Sequence, residues 1–238
     1  MARIAFVIGT YPPDEQKRRE AVALSYATRD IEIGIIRVAA SPYVVDVGAA
    51  EIDMVAPHFI AAYQQAQAQG FDAAVPLGFL DIGVNGGRSA VDIPIIAPCQ
   101  AALHVGMLLG DRLGLVVYSP GLIPVLRTIV RSYGLEQHVV GISHSSFDLT
   151  QIASNKDAMA EKFLKSARGL IDDKGAEVII AAGVTQCPVH LKPEWLAAEL
   201  GVPVVEGIGA PIRLAAMMAD LGLRHSRLRW PFATSLQR

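Results

Sequence analysis

The sequence predicts an α/β fold of two pseudo-symmetric, doubly wound parallel-sheet domains with an active-site cleft between them, on three observations. First, short β-branched runs alternate with longer segments of helical period, the order that builds a parallel sheet covered by helices on both faces. Second, the chain repeats itself. Gly70-Phe71-Asp72-Ala73-Ala74-Val75-Pro76-Leu77-Gly78 lies over Gly175-Ala176-Glu177-Val178-Ile179-Ile180-Ala181-Ala182-Gly183 without a gap. Ile93-Pro94-Ile95-Ile96 then lies over Val202-Pro203-Val204-Val205, and each copy leads into a small-residue helix. Third, the 238 residues are 52% hydrophobic and only 18% charged, against roughly 25% charged in an average globular chain. A chain of that length and composition buries a substantial core, which excludes a disordered protein or a disulfide scaffold.

Taken in order, strands are predicted over Arg3–Ile8, Glu32–Val38, Ala73–Leu77, Leu115–Val117, Val139–Ile142, Val178–Ala181 and Val202–Val205. Each is a β-branched or apolar run bounded by turn residues. Helices are predicted over Gln16–Ala27, Glu51–Gln69, Gln100–Leu109, Pro120–Ser132, Lys156–Asp172, Pro193–Leu200 and Pro211–Leu221. Several end at a glycine, as at Gly175 and Gly201, where a left-handed helix stop favours that residue. The repeat and the matching helices Gln100–Leu109 and Pro211–Leu221 divide the chain into 1–96 plus 206–238 in one domain and 97–205 in the other.

Charge and cysteine content narrow the partner. With 21 Lys+Arg against 23 Asp+Glu the formal charge is -2, which offers no long-range attraction to nucleic acid or an acidic membrane surface. Cys99 and Cys187 are isolated from each other and from any metal-ligand spacing, which fits a reducing compartment, and no metal or cofactor is expected. The apolar N-terminal run is stopped by Tyr11-Pro12-Pro13, too soon for a signal peptide. No window approaches the ~20 apolar residues of a membrane span. A cytoplasmic homo-oligomer acting on a small molecule is expected.

In open parallel sheets ligands bind beyond the carboxyl ends of the strands, where backbone N–H groups and helix N-termini point outward. Those ends carry Thr10 and Tyr11, Gly78 and Phe79, Tyr118 and Ser119, and Gly183, Val184 and Thr185. These nine residues are the expected substrate-binding set, glycine giving close backbone approach and the hydroxyls donating to a carboxylate. Gly83-Val84-Asn85-Gly86-Gly87-Arg88 resembles a phosphate loop, but it lacks the Gly-Lys-Ser/Thr ending and the spacing of a dinucleotide fingerprint.

Three stretches, DAAVPLGFLDIGVNGGRSAVDIPIIAPCQAALHVGMLLGDRLGLVVYSP, GAEVIIAAGVTQCPVHL and LGVPVVEGIGAPIRLAAMMADLGLR, together resemble the aspartate/glutamate/hydantoin racemase superfamily, most nearly its hydantoin racemase branch. The resemblance implies two pseudo-symmetric α/β domains, the first completed by the C-terminal helix. It implies a small carboxylate or cyclic ureide between them, with two opposed cysteines moving a proton at the α-carbon. By the same resemblance one cysteine would stand at Gly78 and the other at Gly183 or Val184, and neither position holds a thiol.

Four residues are therefore candidates for the missing bases. Cys187 lies just beyond the second position and would act as a thiolate; the alternative is a small buried apolar residue. Asp81, three residues past Gly78, would act as a base or hold a substrate N–H, or else make hydrogen bonds within its loop and cap a helix from Gly83 onward. Glu206 ends a strand at an apolar, glycine-lined edge; it would act with a raised pKa or simply sit at a helix N-terminus. His144 in Ser143-His144-Ser145-Ser146 would carry a proton, histidine being the residue type suited to proton transfer at neutral pH, against the alternative of a surface-loop histidine. The expected function is proton chemistry beside a carboxylate or cyclic amide, as a racemase, isomerase, decarboxylase or lyase, not by two cysteines. A catalytically silent small-molecule binder is the alternative.

Overall fold

The computed structural model describes residues 1–38, 48–147 and 155–234. Two wholly parallel sheets organise it. In the first, β1 (Ala2–Ile8) lies between β2 (Ile31–Arg37) and β3 (Ala73–Pro76). In the second, β4 (Leu113–Val117) and β6 (Val178–Ala181) are flanked by β5 (Val139–His144) and β7 (Val204–Glu206). β3, β4 and β6 are buried at every residue, and β1 at all but one, as near-continuous apolar runs covered on both faces should be.

The repeat is visible in the hydrogen bonds. Ile179 N–H donates to Pro203 O at 2.9 Å, and at the matching place Ala74 N–H donates to Pro94 O, also at 2.9 Å. The first sheet thus carries a single parallel bridge, Ala74 to Ile95, where the second carries the β6–β7 pairing.

Among the described residues eight α-helices connect the strands: α1 (Pro13–Leu24), α2 (Ala49–Ala68), α3 (Val84–Ala90), α4 (Pro98–Met107), α5 (Leu122–Ser132), α6 (Lys156–Lys174), α7 (Pro193–Leu200) and α8 (Gly209–Asp220). Their buried residues recur at helical spacing, as with Leu122, Leu126 and Val130 of α5, one apolar stripe facing the core. Gly175 at φ 66° and Gly201 at φ 71° close α6 and α7 in the left-handed conformation.

Three apolar clusters fill the layers. The first sheet's outer face packs under α2 and α3, and the second sheet's under α6 and α7. Between the two sheets a shared cluster runs from Phe6 and Val75 through Leu103, Ile208 and Ile212 to Leu115 and Ile180. α8, which follows the second sheet, packs on β1 and β3; α4 packs on the second sheet; and the two helices touch.

Several ends differ from the sequence reading. The first helix begins at Pro13, because a proline at the first helical position gives up only an N–H that would be unpaired anyway. The last strand begins at Val204, since Pro203 can donate nothing to a ladder. α3 lies outside the predicted helices, its VNGGRSA sequence being poor in helix formers. Gly87 is there for closeness: a Cβ would lie 2.4 Å from the Tyr63 ring of α2.

Candidate functional site

The loops after β1, β3, β4 and β6 meet around a cavity of about 110 Å³. Tyr11 comes from the first loop, Gly78, Phe79 and Leu80 from the second, Tyr118 from the third, and Gly183, Val184 and Thr185 from the fourth. Leu122 and Leu126 of α5 and Arg19 of α1 complete the wall. Seven of the nine expected binding residues thus line one space. Thr10 is instead exposed, its Oγ1 donating to Val38 O at 3.5 Å, and the Ser119 Oγ accepts the Gly121 N–H at 3.2 Å away from the cavity.

Arg19 is the polar centre, and sequence reading missed it. It is 2% exposed, yet in PDEQKRREAVAL nothing distinguishes it from Lys17 or Arg18. Its guanidinium lies 4.2 Å from the Tyr11 ring centroid. Nη1 is paired with Glu15, Nη2 donates to Thr185 Oγ1 at 2.8 Å, and Nε is buried without a partner among the described residues. Glu15 in turn meets His190 Nε2 at 3.1 Å. Burial works against the Glu15 carboxylate, but Arg19 and His190 outweigh it and hold the group below its ordinary range. Burial also pulls the His190 ring below the usual imidazole range, against the pull of Glu15. Because Thr185 accepts from Arg19, its own hydroxyl proton remains to be donated.

The positions that would carry sulfur in the resemblance open onto this space. A Cβ on Gly78 would meet nothing within 4 Å, and one on Gly183 would come 3.3 Å from Tyr118 Cδ1. Gly78 has φ 111°, a conformation that L side chains rarely adopt.

The four base candidates stand elsewhere. Asp81 Oδ1 accepts the Cys99 N–H at 2.9 Å, while its Oδ2 accepts the Tyr133 hydroxyl at 2.6 Å and the Gln100 N–H at 3.4 Å. Glu206 accepts the N–H groups of Ile208 and Gly209, both at 2.6 Å, and the Tyr26 hydroxyl at 3.2 Å. Both carboxylates therefore cap the helices that the repeat makes equivalent, α4 and α8, at equivalent N–H groups. Burial pushes Asp81 up to about 6 and raises Glu206, in each case against these donors. Cys187 is fully buried among Val116, Phe147 and Met159, and burial drives its thiol pKa well up. His144 lies in a separate groove with Lys162 and Ser166, its Nδ1 2.7 Å from Ser146 Oγ.

The side chains that offer polar chemistry to the cavity are thus two phenols, a hydroxyl and a guanidinium: Tyr11, Tyr118, Thr185 and Arg19. Such a set recognises an anion or a ureide carbonyl by donation. Among the described residues no group of three or more His, Cys, Asp or Glu is placed to hold a metal ion, and no helix is long and apolar enough to cross a membrane.

Comparison with known proteins places this architecture. The family described as Asp/Glu/Hydantoin racemase matches residues 17–215. A hydantoin racemase of Rhizobium meliloti is 30% identical over 76% of this chain and 74% of its own length. Another, of Pseudomonas sp. (strain NS671), is 26% identical over 73% of this chain and 68% of its own. Allantoin racemase from Klebsiella pneumoniae superposes with a TM-score of 0.89 over 98% of this chain and 94% of its own, at 21% identity. Unliganded arylmalonate decarboxylase has a TM-score of 0.63, covering 92% and 93% of the two chains at 15% identity. At such identities these structures establish the shared fold.

Proposed function

We propose that this chain, which belongs to the Asp/Glu/hydantoin racemase family, is an enzyme that moves a proton at the carbon beside a small carboxylate or cyclic amide, by a route other than two opposed thiols. The observation that carries this reading is the cavity itself. It joins the carboxyl ends of strands from both sheets and is closed by a buried cation, while glycine stands at 78 and 183. The substrate anion or ureide carbonyl is received by Arg19 and by the unspent proton of Thr185. Developing negative charge on that oxygen is stabilised there, in a site where water does not screen the guanidinium.

Two-base racemisation needs a base near each face of the α-carbon, and among the described residues the cavity wall supplies no thiol, carboxyl or imidazole. Chemistry satisfied by one-sided proton delivery, such as decarboxylation or lysis, fits the wall better, with the Tyr11 and Tyr118 phenols in the wall as proton carriers. The same observation favours a second reading, a binding protein that kept the anion-receiving loops and performs no turnover. We further propose the division into 1–96 plus 206–238 and 97–205, supported by α8 packing on β1 and β3 and α4 on the second sheet.

The test is incubation with both enantiomers of hydantoins, allantoin, aspartate and glutamate, and with arylmalonate, in deuterated water. Deuterium incorporation or carbon dioxide release that disappears in Arg19→Met supports the enzyme. Ligand-induced thermal stabilisation with no exchange supports the binder. Rapid racemisation abolished by Cys187→Ala would overturn the non-thiol reading.

A further inference from the structure

A second cavity, of about 260 Å³, opens between α4, α8 and the C-terminal segment. Its floor holds Arg88, the residue that ends the glycine-rich 83–88 stretch and that the proposed function does not use. Arg88 is 4% exposed. Nε and Nη2 donate to Ile95 O, both at 3.1 Å, and Nη2 donates to Gln100 Oε1 at 2.8 Å. Among the described residues nothing accepts from Nη1, and no carboxylate lies within ion-pair distance of the guanidinium. The Asp81 carboxylate, itself buried, favours the charged guanidinium from beyond ion-pair distance, but no anion is paired with it directly, and such a buried cation is costly, by several kcal/mol in general.

The neighbouring polar groups are also donors. Gln100 spends its Oε1 on Arg88, which leaves the amide N–H groups. His225 Nε2 accepts the Ile95 N–H at 2.8 Å, so the ring proton sits on Nδ1. Burial, with Arg88 and Arg227 facing it, keeps that ring neutral, its pKa pulled down to about 4. At the rim, Asp92 already serves Arg224 at 3.8 Å and Arg227 at 3.0 Å, and Arg229 has no acidic partner among the described residues. His104 also lines the cavity, its Nδ1 2.7 Å from Gln100 O; the rest of the wall is apolar, with Ile96, Leu214, Met218 and the face of Trp230, whose ring centroid lies 5.0 Å from the Arg88 guanidinium.

We propose that this cavity is a second ligand site, distinct from the cleft between the sheets, for a small organic anion. Its carboxylate or phosphate head is received by Arg88, Gln100 and His225, and its apolar body lies against Leu214, Met218 and Trp230. The volume is adequate, since a dry cavity of roughly 150 Å³ already holds a benzene ring.

Titration calorimetry of the full chain with benzoate, phenyl phosphate and inorganic phosphate tests the assignment. Saturable binding of at least one aromatic anion, tighter than inorganic phosphate, is expected. Arg88→Met should weaken it at least tenfold, the loss of a charge-assisted hydrogen bond. Met218→Trp, which fills the cavity and leaves every hydrogen bond of Arg88 in place, should abolish it, so that a folding defect in Arg88→Met does not decide the matter. Gly183→Leu, which obstructs the other cavity, should leave affinity within twofold. The proposal is overturned by no saturable binding at millimolar anion, by binding that survives Met218→Trp, or by binding lost in Gly183→Leu.

Discussion

Replacing Asp81 by asparagine should remove a pH dependence of stability that the wild-type chain carries between about pH 4 and 6. The carboxyl is capped by Cys99, Gln100 and Tyr133, yet burial lifts its pKa from 3.8 to about 6. A group whose folded pKa lies above its unfolded value binds more protons when folded, so stability falls as pH rises through that window. A little over two units, at 1.36 kcal/mol per unit, is about 3 kcal/mol. The asparagine side chain would keep an acceptor for the Cys99 N–H and carry no charge to desolvate. Urea unfolding at half-unit steps from pH 3.5 to 7.5 should therefore show wild type losing about 3 kcal/mol relative to Asp81→Asn between pH 4 and 6, then running parallel to it above pH 7. A flat difference, or wild type gaining on the variant as pH rises, would show that the helix N-terminus and Tyr133 win over burial, and the reasoning would be refuted.

Arg19→Met should abolish anion protection of the main cavity and lower stability by about 1–3 kcal/mol, less than the ~3–5 kcal/mol of a fully buried broken pair, because Glu15 keeps Arg18 at 3.4 Å and His190 at 3.1 Å; thermal melts with and without ligand check both. Gly78→Cys should cost about 1–3 kcal/mol through its φ of 111°, whereas Gly183→Cys needs only a small shift of the Tyr118 ring 3.3 Å away, and unfolding curves of the pair should separate. A thiol reagent should leave native wild type unlabelled, both cysteines being fully buried, and label Gly183→Cys once per chain. Glu206→Gln should behave like Asp81→Asn and gain on wild type as pH rises, because burial raises the Glu206 carboxyl and the amide carries no charge to desolvate while keeping one acceptor for the Ile208 and Gly209 N–H groups; equilibrium unfolding at pH 4 and pH 8 reads it.

The strand positions, the repeat and the helices other than α3, their ends to within three residues, were legible in the sequence because they are local. Apolar runs such as AFVI and GLVV have one way to satisfy both faces, and Pro94 and Pro203 keep the two halves in register. The loops at Gly78 and Gly183 were legible for the same reason, strand ends being where glycine and hydroxyl residues gather. What these residues face was decided by the tertiary structure. Arg19 and Arg88 look like surface arginines in their own segments, and become buried only because α1 meets the 185–190 turn and the C-terminal segment folds over α3. Asp81 and Glu206 read as possible bases until the N-termini of α4 and α8 are seen to occupy both carboxylates. A side chain's type is written in the chain, but its desolvation and the donors around it come from segments scores of residues away, and those set whether a carboxylate caps a helix or moves a proton.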